Sequence, residues 1–184
     1  MNFADHDVAL TLPAQLSLED KWVLSRYNEL VQAVTDNLEK FELGIAVSKL
    51  YDFIWDTFCD WYIELCKSRL QGEDEDSKIR AQKVLCYVLT QMLKLLHPFM
   101  PFITEEIWQA LPHEGEFLMT SEWPVAKAEL SFPEEEQAME VIMEAIRAVR
   151  TRRSEMNVPP SKKAHLTVST DETKIFELGV PFLK

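Results

Sequence analysis

Six basic side chains near the carboxyl end of the 184-residue sequence are the residues best suited to bind a charged ligand. Guanidinium and ammonium groups neutralise phosphates, so a cluster of them indicates contact with a nucleic-acid backbone. The acidic residues near them in the sequence are Glu144 and Glu155. The alternative to nucleic-acid binding is therefore an ordinary solvated surface on which these cations pair with the two glutamates. The six residues are Arg147, Arg150, Arg152, Arg153, Lys162 and Lys163.

The spacing of the arginines decides which of them can act together. On a helix Arg147 and Arg150 share a face, and so do Arg150 and Arg153, because each pair is three residues apart. We therefore predict a ridge of three guanidinium groups that holds RNA phosphates. Arg152 points elsewhere but stays within the predicted RNA-binding set, and the two lysines extend that set beyond the end of the helix.

Three further cations are weaker candidates for RNA binding. Lys67 and Arg69 lie near the predicted end of the second helix, where a cation also interacts favourably with the helix dipole. Arg26 lies on the first predicted helix and can pair with an acidic neighbour. For all three residues a structural role competes with the RNA-binding one.

The total charge of the chain opposes nucleic-acid binding, but the distribution of the charge does not. The formal net charge is −12. Residues 1–132 carry 11 basic and 22 acidic side chains, whereas residues 133–184 carry 8 basic and 9 acidic ones. An acidic body with one basic ridge is compatible with a local, electrostatically steered RNA contact.

No motif in the sequence indicates catalysis, a cofactor or a metal site in this chain. The four glycines form no phosphate-binding cluster, and neither Gly-x-Ser-x-Gly nor a Walker-type loop occurs. A di-metal bundle needs glutamates three positions before histidines, but those positions hold Phe3, Lys94, Ala110 and Lys162. No Cys-x-x-Cys motif occurs, so a zinc site is not predicted. The odd number of cysteines, without close pairs, predicts reduced thiols in a cytosolic protein. No apolar run is long enough to span a membrane.

Apolar residues at helical spacing predict an all-α antiparallel bundle. The predicted helices cover residues 17–39, 43–70, 77–97, 101–111 and 133–157. Residues 165–170 alternate like a half-buried strand, which predicts the start of a small α/β appendage whose partner strands lie outside the sequence. The predicted domains are a lead-in at 1–16, a helical bundle at 17–132, a long basic helix of the same domain at 133–158, and a truncated α/β subdomain at 159–184.

Helix starts and aromatic residues give further expectations. Ser17, with Asp20 three residues later, resembles a capping box for the first helix, and Ser77 is predicted to cap the third.

The aromatic residues on the helices are predicted to be core rather than platforms for unpaired bases. They are Trp55, Trp61, Tyr62 and Trp108. Tyr27 and Phe41 lie nearer the ends of elements, where exposure is more common.

Several stretches of the sequence, taken in order, resemble one protein family. The three stretches are DKWVLSR at Asp20–Arg26, FCDWYIELCK at Phe58–Lys67 and LLHPFMPFITEEIW at Leu95–Trp108. This set is similar to the helical anticodon-binding domain of the class I aminoacyl-tRNA synthetases for valine, isoleucine and leucine. The Cys-Asp-Trp-Tyr stretch and the run from Arg147 to Lys163 look most like the valine type. The resemblance covers about residues 16–170.

The resemblance implies an all-α domain that recognises the anticodon arm of valine tRNA. It also implies a second partner, the catalytic domain of the same polypeptide, which activates valine with ATP and magnesium. The His-Ile-Gly-His and Lys-Met-Ser-Lys-Ser signatures of that domain do not occur in this sequence. We therefore expect no catalysis and no cofactor in this segment, and we expect a cytoplasmic monomer.

Three alternatives remain open at this point. The domain could belong to an isoleucyl- or leucyl-type synthetase. A helical protein-interaction scaffold would instead show an exposed apolar groove, where the synthetase interpretation predicts a positive strip. A carboxylate metalloenzyme would bind iron or manganese.

Overall fold

The structure, a computed structural model, describes residues 11–159 and 161–183. Within those residues every regular element is helical, which confirms the predicted all-α class. The chain divides into two compact units, residues 1–132 and residues 133–184. The lead-in predicted for residues 1–16 lies mostly outside the described residues.

The first unit consists of helices that pack side by side. Its elements are α1 (Leu18–Glu39), α2 (Leu43–Asp52), a π-helical segment (Phe53–Ile63), α3 (Glu64–Leu70), α4 (Glu75–Leu96), α5 (Pro101–Gln109), and 3-10 turns at Leu118–Thr120 and Ala128–Leu130. Since α2, the π-helical segment and α3 run end to end, the helix predicted for residues 43–70 is one continuous rod whose middle is wound more widely.

The core of the first unit lies where α1 meets the continuous rod and α4. A short turn joins α1 to α2 and makes them antiparallel, and α4 contacts both. Val23, Leu24 and Val34 of α1 are fully buried, as are Leu50 and Val84. Burial of one such side chain contributes about 1.5–3 kcal/mol, so the predicted apolar stripes are what hold the helices together.

Carboxylates cap the starts of two helices. The predicted capping box is confirmed, since the Ser17 N–H donates to Asp20 Oδ2 at 3.2 Å. The prediction for the third helix is wrong, because α4 begins at Glu75 and Asp74 is its cap. Asp74 Oδ1 accepts a hydrogen bond from the Ser77 N–H at 3.1 Å, which satisfies a donor that has no partner inside the helix.

The connection that follows α5 is fastened to α1 by side chains of α1. The Asn28 side chain donates to Lys127 O at 3.0 Å and accepts from the Lys127 N–H at 2.7 Å. Trp123 Nε1 donates to Thr35 Oγ1 at 3.0 Å. These bonds satisfy polar groups in a stretch that has little regular structure of its own.

Trp55 is the aromatic residue whose predicted burial is wrong. Tyr62 and Trp108 are fully buried, as predicted, but the Trp55 side chain is 52% exposed. Trp55 lies in the π-helical segment, where i→i+5 hydrogen bonds turn successive side chains through a smaller angle than in an α-helix. The period of 3.6 residues therefore does not hold there. Tyr27 is buried and packs edge-on against Phe53.

Phe41 follows α1 in an unfavourable backbone conformation. Its φ of +59° lies in the left-handed region, where helices commonly end on glycine. The turn requires this conformation, because the Phe41 N–H donates to Leu38 O at 3.0 Å and the Glu42 N–H donates to Asn37 O at 2.8 Å. The ring is 88% exposed, so burial of the side chain does not offset the strain.

Replacement of Phe41 by glycine is expected to raise the free energy of unfolding by about 1 kcal/mol, because glycine adopts positive φ without a steric penalty. Urea unfolding followed by circular dichroism measures the change. Phe41→Ala is the matched control, since it removes the ring but keeps the Cβ atom that causes the strain. A glycine variant no more stable than the alanine variant would contradict this account of the turn.

The second unit contains α6 (Pro133–Glu155), α7 (Thr173–Gly179) and a 3-10 turn at Val180–Phe182. α7 approaches α6 closely at Gly179, where an added Cβ atom would lie 2.9 Å from Ile142 Cγ1. Glycine therefore permits this contact. Among the described residues, no helix is both long and apolar enough to cross a membrane.

The strand predicted for residues 165–170 is not formed in the described part of the chain. Those residues carry no ladder hydrogen bonds, and Leu166 and Val168 are 48% and 41% exposed. The α/β subdomain predicted for residues 159–184 depends on partner strands outside the sequence and stays a prediction, while the regular elements described in the second unit are helical. An alternating sequence can specify two faces, but a strand also needs N–H and C=O groups on a neighbouring strand.

Candidate nucleic-acid interface

The charges of α6 are ordered along its axis. Glu134, Glu135 and Glu136 occupy its first turn, at the positive end of the helix dipole, and Arg152 and Arg153 occupy its last turn, at the negative end. Each group is stabilised by the dipole at the position it holds. Folding α6 therefore concentrates positive charge at its carboxyl end.

Arg147 and Arg150 are both solvent-exposed on α6. They are one turn apart, as the sequence predicts, and so share a face of the helix. Each also has an interaction partner within the chain. They lie beside the buried stripe that includes Ile142 and Ile146, so packing of α6 leaves their guanidinium groups at the surface.

Arg153 makes hydrogen bonds within the chain, and its predicted phosphate contact stays a prediction. Its Nη2 donates to the backbone oxygen of Pro159 at 2.8 Å and to that of Lys162 at 2.7 Å. The guanidinium thus ties the segment after α6 to the last turn of the helix. Asn157 makes the reversal possible with φ of +51°, a conformation that asparagine tolerates better than most residues.

This tie brings Lys162 to the end of α6, and Lys163 follows it. Both lysines are exposed. Arg152 instead pairs with Glu155, with 3.1 Å between Nη1 and Oε2, and both side chains are mostly exposed. We define the basic end as Arg147, Arg150, Lys162 and Lys163. These are exposed cations of α6 and of the segment tied to it, and Arg152 is left out because it lies off the helix face that Arg147 and Arg150 share.

Arg69 does not lie at the surface as a phosphate contact would require. Its Nη1 lies 2.7 Å from Glu19 Oε1 and 2.9 Å from Asp20 Oδ1, and both carboxylates are almost completely buried. Nη1 also donates to Ser17 Oγ at 2.8 Å, and Nη2 donates to Ser77 O at 3.2 Å. Arg69 therefore joins the starts of α1 and α4 to α3, and we assign it a structural role.

The electrostatics of this cluster agree with that role. Burial lowers the pKa of Arg69, but the hydrogen bonds and charge of Asp20, followed by those of Glu19, more than offset this, so its pKa rises. Tyr62 Oη donates to Asp20 Oδ1 at 2.8 Å. Burial, with smaller effects from Cys66 and Asp20, raises the pKa of Tyr62. The arginine stays charged and the phenol neutral at ordinary pH.

The other two weak candidates form ion pairs at the surface. Arg26 Nη1 lies 2.8 Å from Glu29 Oε2, and Lys67 pairs with Glu64. All four side chains are at least 42% exposed, so these pairs contribute little stability. Both cations belong to the acidic first unit, whereas the basic end belongs to the second unit.

The structure reveals an exposed aromatic pair that the sequence did not indicate. The rings of Tyr51 and Trp55 have centroids 6.2 Å apart, and their side chains are 61% and 52% exposed. Asp52 and Asp56 are exposed beside them, which opposes a phosphate backbone. Among the described residues, no group of three or more His, Cys, Asp or Glu side chains could hold a metal ion.

Comparison with known proteins points to one family. Residues 20–168 match the family described as the anticodon-binding domain of tRNA ligase. The chain is 47% identical to the valine–tRNA ligase of Staphylococcus carnosus over 169 residues and 49% identical to that of Bacillus licheniformis over 168 residues. It is 47% identical to that of Oceanobacillus iheyensis over 173 residues. These alignments cover 91–94% of this chain but 19% of each relative.

Proposed function

The chain belongs to the family of anticodon-binding domains of tRNA ligases, and we propose that its basic end binds the backbone of a tRNA anticodon arm. The observation that carries this proposal is the exposure of Arg147, Arg150, Lys162 and Lys163 in an otherwise acidic chain. Cations of this kind fix the position of an RNA, while base identity is read by other groups.

Local charge supports this assignment more strongly than total charge. A chain with net charge −12 repels RNA over most of its surface, so a phosphate backbone is directed to the few places where cations gather. Of the predicted candidates, Arg69 is held by buried carboxylates and Arg153 by backbone oxygens. Arg152 lies off the helix face that Arg147 and Arg150 share, and these two arginines form the basic end with Lys162 and Lys163.

We further propose that the RNA is valine tRNA. The relatives that the chain matches are named valine–tRNA ligases, and the chain spans about one fifth of their length. In this proposal a longer cytoplasmic, monomeric ligase uses ATP and magnesium to charge the tRNA with valine. The chemistry belongs to its catalytic domain, and the present chain contributes recognition alone.

The proposal predicts that the double variant Arg147→Ala/Arg150→Ala binds valine tRNA about tenfold more weakly at moderate salt. Loss of two phosphate contacts should also reduce the slope of log affinity against log salt concentration by about 1.5. Filter binding or fluorescence anisotropy at a series of salt concentrations measures both quantities.

The matched control for this test is Lys78→Ala/Lys83→Ala, which removes two cations from α4 in the acidic unit. It should leave both affinity and salt slope near those of the unmodified protein. The proposal fails if the arginine variant behaves like the unmodified protein, or if the α4 control loses as much affinity as the arginine variant does.

A further inference from the structure

An apolar cavity opens between α5 and the 3-10 turn at Leu118–Thr120. It encloses about 440 Å³. Phe102, Phe117 and Met119 line it, together with Pro101 and His97. None of these residues belongs to the basic end, so the cavity is a separate feature of the first unit.

The apolar walls of the cavity are unusually exposed. The side chains of Phe102, Met119 and Phe117 are 90%, 74% and 50% exposed. Exposure of single apolar residues is ordinary, but a contiguous apolar patch around a concave site marks an interaction surface. Covering Phe102 and Met119 would remove a large apolar area from water, which favours an occupant.

Hydrogen bonds join the two walls of the cavity. The Glu105 carboxylate accepts from the Leu118 N–H at 3.0 Å and from Gln109 Nε2 at 2.8 Å. Gln109 Nε2 also donates to Glu116 O at 2.8 Å. Beneath them, Trp108 and Leu118 belong to one buried cluster. α5 and the turn are therefore fixed relative to each other, and the site is preformed.

His97, one of the lining residues, has one ring nitrogen with a partner and one without a partner among the described residues. Thr104 Oγ1 donates its single hydrogen to Met100 O at 2.8 Å, so the 2.8 Å contact between His97 Nδ1 and Thr104 Oγ1 requires Nδ1 to be the donor. In the neutral ring, Nε2 is then an acceptor. It is buried and has no partner among the described residues.

The charge around the cavity selects the occupant. The lining includes Glu105 and Glu106 but neither lysine nor arginine. Glu114 and Glu116 are exposed in the loop that leads to Phe117. This rim repels an RNA backbone and favours a protein segment whose apolar side chains are flanked by lysine or arginine.

We infer that this cavity is the docking site for a segment of the longer ligase that lies outside residues 1–184, an apolar segment flanked by basic side chains. The inference rests on the proposed function, because the relatives place about four fifths of their length beyond the matched region. The segment inserts an apolar side chain between Phe102 and Met119, and its basic group faces Glu106.

Hydroxyl-radical footprinting without RNA tests the docking, with the isolated chain compared with the complete ligase that contains it. In the isolated chain Met119 and Met156 should oxidise at similar rates, since they are 74% and 62% exposed. In the complete ligase Met119 and Phe102 should be protected severalfold, and Met156 should not. Protection of Met119 no greater than that of Met156 overturns the inference.

A pair of variants separates docking from general packing. Met119 and Val125 are each 74% exposed in the first unit, but Met119 lines the cavity and Val125 does not. In the complete ligase Met119→Asp should abolish the protection of Phe102, whereas Val125→Asp should preserve it; equal protection in both variants contradicts the proposal. As isolated chains, both variants should have the same unfolding transition as the unmodified chain. Because RNA is absent from the footprinting, a negative result there does not contradict the tRNA proposal. Conversely, a negative result in the tRNA-binding test does not change what the footprinting says about docking.

Discussion

Replacement of Arg69 by leucine is expected to lower the free energy of unfolding by about 3–5 kcal/mol, because it leaves two buried carboxylates without their cation. Glu19 is 3% exposed and Asp20 is fully buried, so water cannot replace the guanidinium. The hydrogen bonds from Arg69 to Ser17 and Ser77 are lost as well. Urea unfolding monitored by circular dichroism measures the difference.

Arg152→Leu is the matched control for this prediction. It removes the same type of side chain from a pair whose members are 73% and 57% exposed, so the expected loss is below about 1 kcal/mol. A second variant, Arg69→Leu/Asp20→Asn, should recover part of the lost stability, since it removes one buried charge. If Arg69→Leu costs no more than Arg152→Leu, the cluster is not the structural centre we assign.

The sequence could not separate Arg69 from a surface cation because the decisive partners are distant along the chain. Arg69 lies 49 and 50 residues after Asp20 and Glu19, and helical periodicity describes only neighbours within a few residues. The same limit hid the role of Tyr62, which reaches Asp20 across 42 residues. Positions of helices were predictable because apolar spacing is local, whereas pairing of buried charges depends on how the helices pack.

At the basic end, by contrast, local spacing in the sequence was enough to predict which side chains share a helix face. The three-residue spacing of Arg147 and Arg150 predicted a shared exposed face, and α6 provides one. What the spacing could not show is that Arg153 bends back to the oxygens of Pro159 and Lys162. The predicted end of the helix near residue 157 did not indicate the direction that the chain takes beyond it.

The π-helical segment explains why apolar periodicity misplaced Trp55. An 11-residue stretch from Phe53 to Ile63 breaks the 3.6-residue repeat, so the stripe rotates away from the core within one helix. Such segments interrupt the α-helix where side chains are re-aimed. Phe58 and Tyr62, four residues apart in this segment, stay buried, while Trp55 faces solvent.

Arg153→Ala is expected to weaken valine tRNA binding about as much as removal of both lysines that it positions, roughly tenfold at moderate salt. The reason is geometric. The alanine variant loses the bonds to Pro159 O and Lys162 O, so Lys162 and Lys163 no longer hold fixed positions beside α6. Hydrogen exchange of the Val158 N–H, which donates to Arg153 O at 2.9 Å, should quicken in the variant.

A double-mutant cycle distinguishes this positioning role from a direct phosphate contact. If Arg153 acts through the lysines, adding Arg153→Ala to Lys162→Ala/Lys163→Ala should cost little further affinity, because the lysines it positions are already gone. A direct phosphate contact would instead make the two losses add. Arg152→Ala, one residue away, controls for charge and should change neither the exchange rate of Val158 nor the outcome of the cycle. Additive losses with unchanged exchange at Val158 would return Arg153 to the set of phosphate-binding residues.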